Sequence, residues 1–192
     1  PIAKWNLARF AECLIPLIDK NEDQAIKTAT QIIDNFQTIY EQKWFDMMKS
    51  KLGLIGDNKD DLKLINSLLN WMEESKADYT NTFCYLMDMP IKDEIYNDKR
   101  FIEWVQAWNN RSNLNNSNKE DQFQLMKKVN PVIIPRNHKV EEALSDANKN
   151  NYETLYKLLS VIQNPYNPKV DVLEYQSPAP ESKEKYQTFC GT

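Results

Sequence analysis

Three glycines, Gly53, Gly56 and Gly191, serve the whole 192-residue chain. That scarcity constrains the fold more than any motif does. Loops that cradle phosphate need several glycines so that backbone N–H groups can approach the ligand closely. None can be assembled here, and the chain therefore has no nucleotide cradle of its own. What replaces turn-rich structure is helical spacing. Apolar residues recur three and four positions apart along most of the chain, which is the signature of amphipathic helices. The fold class read from this pattern is mainly α.

The first helix is read from Trp5 to Ile18, with Leu7, Phe10, Leu14 and Leu17 spread over much of its surface. A helix apolar on nearly every side is built to be covered on every side, so it wants more neighbours than a small domain provides. Pro16 is expected to end or kink it. Ala25, Ala29, Ile32, Ile33, Phe36, Ile39, Tyr40, Trp44, Met47 and Met48 then predict one long helix, closed by "KLG" at 51–53 as a cationic last turn and a glycine stop.

"DDLKLINSLLNWM" begins with acidic capping residues and carries its own apolar face. "ADYTNTFCYLMDMP" predicts a short helix closed by Pro90, and Phe101, Trp104, Val105 and Trp108 mark another stripe. "NNRSNLNNSN" reads as a loop, and "SNKE" at 117–120 as a capping box opening the next helix. "NPVIIPRNH" is irregular between its prolines, and two further helices are expected at 138–149 and 151–163. We divide the chain into a helical segment, 1–163, and an extended Pro-rich tail, 164–192, in which only "KVDVLEY" suggests a short strand.

Composition narrows the functional classes. A net charge of −4 argues against nucleic acid, which calls for a basic stripe. No apolar run approaches the roughly 20 residues that a bilayer requires. Cys13, Cys84 and Cys190 cannot all pair within the chain, and with one histidine they match no zinc spacing. A reducing, cytoplasmic setting and no metal site follow as expectations.

The polar motifs each admit a structural reading. "GDNKDD" at 56–61 lacks the sharp-turn glycine and the closing Glu of a calcium loop, so it reads as a helix cap. Asp78, Tyr79, Thr80, Asn81 and Thr82 open a helix and either face a cleft or cap it. Arg136 and His138, in a proline-stiffened stretch, form a possible anion site or a structural pin. Trp44, Trp71, Trp104 and Trp108 lie in helical stripes and are read as core. Cys190, third from the end, is too close to the terminus for burial and is therefore an accessible thiol.

Taken in order, "WNLARFAECLIPL", "KLGL", "ADYTNTF", "NPVIIPRNHKVEEAL", "NPY" and "YQTFCGT" resemble the C-terminal part of the SelO family from Trp5 to Thr192. The resemblance implies the helical C-terminal lobe of a kinase-like fold, in an enzyme that transfers AMP from ATP to protein hydroxyl groups with Mg²⁺. The family's glycine-rich loop, ion-pair Lys and Glu, phosphate-clamping Arg and metal-binding Asp and Asn precede the "WNL" segment, so no catalytic or cofactor-binding residue is assigned in this chain. ATP and Mg²⁺ are expected for the intact protein alone. The expected partners are the N-terminal catalytic lobe and the protein substrates, with neither nucleic acid nor membrane. Cys190 matches the family's terminal selenocysteine or cysteine, which implies a redox role through a disulfide with the catalytic lobe. Cys84 stands where the family often carries Arg. The competing reading is a free-standing helical interaction module without catalysis.

Overall fold

The computed structural model describes residues 2–114, 118–168 and 173–179. Helices dominate it, and no strand occurs among the described residues. The chain divides into two compact units, Pro1–Lys49 and Ser50–Thr192, with the division falling inside one helix.

In the first unit, α1 (Ile2–Ile18) packs on α2 (Glu22–Asp34). Pro16 lies in the last turn of α1, and the helix runs two residues past it before ending. Asn21 caps α2, its side chain accepting from the Gln24 N–H at 3.0 Å. The long helix expected from the spacing is in fact two, because α2 ends at Asn35 and α3 (Phe36–Lys51) begins immediately after it. Asn35 keeps helical torsions, φ −77° and ψ −7°. The apolar period therefore runs on almost undisturbed while the helix assignment lapses at this residue.

In the second unit, α4 (Asp61–Ser75) packs on α6 (Lys99–Asn113), with α5 (Tyr79–Leu86) and a 3₁₀ turn (Glu94–Asn97) between them in sequence. Phe83, Phe101, Ile65 and Leu68 are essentially inaccessible. Each such side chain contributes about 1.5–3 kcal/mol by leaving water. Trp71 stacks on Phe101 with ring centroids 4.3 Å apart, and Trp104 stacks on Trp108 at 6.1 Å. Their indole N–H groups are satisfied, Trp71 donating to Asp98, Trp104 to the Leu64 carbonyl and Trp108 to the Leu52 carbonyl. Trp71 and Trp104 are core residues, as their stripes suggest.

The polar stretch read as a loop from 109 is helical through Asn113. Arg111 is the reason. It is buried against Asp61, with Nε–Oδ1 at 2.5 Å and Nη2–Oδ2 at 3.0 Å, and this clamp ties α6 to the start of α4. The following cap is Asn118, accepting from the Glu120 N–H, one residue later than the capping-box reading.

Next come α7 (Lys119–Val129), α8 (Asn137–Ala147), α9 (Glu153–Ile162) and α10 (Leu173–Gln176). Val132, Ile133 and Val161 form a small core with Met89, Ile162 and Tyr175 packed against it. The Val132 N–H donates to the Pro165 carbonyl at 2.7 Å. Leu173–Gln176 is a helical turn, whereas "KVDVLEY" had suggested a strand; residues 169–172 lie outside the described residues. No helix among the described residues is long and apolar enough to cross a membrane.

Candidate functional site

The sequence placed its polar candidates in two stretches 58 residues apart, and the fold brings them together. Asp78 precedes α5 with extended torsions, and its carboxylate accepts from the Asn81 N–H at 2.8 Å. Arg136 precedes α8 in the same way. Its guanidinium donates bidentately to Asp78, Nη1–Oδ2 at 2.7 Å and Nη2–Oδ1 at 3.1 Å, and Nη2 also donates to Asn81 Oδ1 at 3.2 Å. One carboxylate thus caps a helix and receives a cation, and one arginine joins two helix starts.

The brace extends further. Asn81 Nδ2 donates to the Gln176 carbonyl at 3.1 Å, and Gln176 Nε2 donates to the Val132 carbonyl at 3.2 Å. Thr82 Oγ1 donates back to the Asp78 carbonyl at 2.8 Å. Of the five polar residues opening α5, Asn81 and Thr82 are therefore buried in a cross-linked network, with Thr80 buried beside them, rather than displayed in a cleft.

Electrostatics follow from this packing. Burial would push the Asp78 carboxyl up, but the hydrogen bonds and charge of Arg136, with the backbone N–H bonds, hold it below its ordinary value. Lys51, at the end of α3, is buried instead of capping an exposed last turn. Its ammonium lies over the Phe83 ring at 4.3 Å and the Tyr79 ring at 5.3 Å. Desolvation lowers its pKa to about 8. Cys84 is buried, and desolvation with the nearby Asp78 charge raises its thiol to about 11, so it stays protonated and unreactive at neutral pH. A protonated thiol in this place supplies no cation to Asp78; Arg136 does.

His138 sits in the first turn of α8 and lines a cavity of about 320 Å³ with Ile134, Pro135, Arg136, Asn137 and Ala179. The Arg136 guanidinium is already matched by Asp78, and its Nε is buried without a hydrogen-bond partner. The geometry is that of a pin between helices, with His138 beside it and outside the hydrogen-bonded set. Among the described residues, no three His, Cys, Asp or Glu side chains converge as a metal ion would need. Cys190 lies outside the described residues. Sequence reasoning missed Arg111–Asp61 and Lys51: the first was hidden in an Asn-rich run, the second behind an ordinary helix-end lysine.

Comparison with known proteins supplies what the geometry lacks. A family model described as "Protein adenylyltransferase SelO" matches residues 1–163. Curated relatives named "Protein nucleotidyltransferase YdiU" align with the full chain. That of Pelagibacter ubique (strain HTCC1062) is 53% identical over 192 residues, of which the chain covers 40% of the relative's length. Those of Nitrosococcus oceani and Bacillus mycoides (strain KBAB4) are 42% and 44% identical over 193 residues, with 39% and 40% covered. The chain thus spans about two-fifths of the length of these relatives.

Proposed function

Because the chain belongs to the SelO family, we propose that it is the helical C-terminal part of a protein nucleotidyltransferase, which moves AMP from ATP to hydroxyl side chains of other proteins. The observation that carries this reading is alignment of the entire chain, at 53% identity, with 40% of a relative named for nucleotidyl transfer. The three-glycine count agrees, since it leaves this part without a phosphate loop. In this reading ATP and Mg²⁺ bind in the preceding part of the polypeptide, a kinase-like catalytic lobe. Phosphoryl-type transfer depends on positioning and charge stabilisation at the phosphates, and those groups belong to that lobe.

The role of this part is support. Arg136, Asp78 and Asn81 lock α5 to α8, and Arg111 and Asp61 lock α6 to α4. The Arg111–Asp61 pair is buried and the Arg136–Asp78 pair partly buried, and in both the charges are matched within the fold rather than offered to substrate. Cys190 is the regulatory element in the same reading. Its thiol and one in the catalytic lobe would lose two electrons and two protons to a small-molecule disulfide, forming a reversible cross-link.

The test is transfer of label from ATP carrying a radioactive α-phosphate, with Mg²⁺, by the full-length polypeptide. Labelled protein that resists boiling in detergent is the expected result, and its absence with folded, full-length enzyme would sink the reading. Cys190→Ser should abolish any difference between oxidised and reduced samples while leaving the reduced activity intact.

A further inference from the structure

Helix α1 contains no buried residue along its 17 positions, although most of its side chains are apolar. One of its faces is accounted for. Ala8, Ala11 and Ile15 line the cleft against Ala29 and Ile33 of α2, and Lys4 pairs with Asp34 at 3.2 Å. A second face is not. Ala3, Leu7, Phe10, Leu14 and Leu17 follow one another at spacings of four, three, four and three, which is the heptad stripe by which one helix packs into another. Leu7, Phe10 and Leu17 are 39%, 60% and 81% exposed. None of the five carries a charge that would favour leaving the stripe in water.

We propose that this stripe is the seat of a helix from the rest of the full-length polypeptide. The inference rests on the reading that the chain is part of a longer enzyme. Two observations select this occupant over a second copy. The curated relatives are far longer than the chain, which covers 40% of the first and 39% of the second. The stripe is also small. A 17-residue helix is about 25 Å long, and five side chains along it offer only part of the roughly 800 Å² per partner that a stable association between separate molecules buries. A tethered partner has no such requirement, because its effective concentration is already in the millimolar range.

Thiol labelling tests this without involving ATP. With Cys13 and Cys190 changed to Ser, Leu17→Cys places a thiol on the stripe of both the 192-residue chain and the full-length polypeptide. Labelling is read at residue 17 by peptide mass mapping, because the catalytic-lobe thiol remains in the longer protein. A maleimide should label residue 17 at least about tenfold more slowly in the full-length protein. Equal rates would overturn the proposal even if AMP transfer is observed, and slow labelling would uphold it even if transfer is not. Slow labelling already in the 192-residue chain, relieved on dilution, would also overturn it, in favour of self-association. Phe10→Asp supplies the second arm. It should leave the melting of the 192-residue chain unchanged and lower that of the full-length protein, and an equal effect on both contradicts the proposal.

Discussion

Arg136 and Asp78 show how little of a polar residue's work is visible from its type. Both stand at helix starts, where an anion site is a fair expectation, yet each consumes the other's charge. Arg136→Ala should cost about 1.5–3 kcal/mol, the worth of hydrogen bonds to a charged group, read as the midpoint of urea unfolding. The Asp78 contribution has a definite sign with pH. Its folded pKa lies below the unfolded value, so its stabilisation is complete above that value and is lost as pH falls through the folded one. The stability gap between wild type and Asp78→Asn should accordingly be widest near neutrality and shrink below about pH 4.

Lys51 runs the other way. Its folded pKa of about 8 lies below the ordinary lysine value of 10.5. The cost of its buried charge is therefore fully present below pH 8 and is relieved as pH rises toward 10.5. Relative to Lys51→Met, wild type should gain stability across that window, by thermal melting of both proteins. A flat difference would mean that the Phe83 and Tyr79 rings fully replace water around the ammonium. Gly53 belongs to the same scale. At φ +63° it adopts the left-handed conformation, and a Cβ there would meet the Gln122 carbonyl at 3.0 Å and Met126 Cγ at 3.1 Å. Gly53→Ala should cost about 1–2 kcal/mol from backbone conformation alone.

At the scale of elements, periodicity located most helices and misjudged their ends. The α2–α3 break was invisible because the helix assignment lapses at Asn35 while its torsions stay helical, so the apolar period does not shift. The α6 end was misread because asparagine-rich sequence looks like a loop, while the Arg111–Asp61 pair, a contact across 50 residues, holds the helix in place. No local rule reports such a pair. Arg111→Met leaves Asp61 buried without its counter-charge and should destabilise by about 3–5 kcal/mol, much of it recovered in the double variant with Asp61→Leu. The candidate motifs themselves were legible, since "ADYTNTF" and "IPRNH" do meet in space. Their role was not, because whether an arginine is free or paired depends on which carboxylate the fold brings to it. The thiols divide by element in the same way: α1 exposes Cys13, and α5 buries Cys84. With Cys190 changed to Ser, one thiol should react rapidly with an aromatic disulfide and one only after unfolding.

For the whole molecule, the exposed apolar surface of α1 and the shortage of glycine point the same way. The first agrees with the proposal that more protein surrounds this part, and the second with the proposal that ATP binds in the preceding lobe. The deciding property is where ATP binds. Calorimetric titration of Mg²⁺–ATP into the 192-residue chain and into the full-length polypeptide answers this directly. Saturable binding by the full-length protein alone is the result we expect. Saturable binding of equal affinity by the 192-residue chain would contradict the account, and would turn attention to the cavity beside Arg136 and His138.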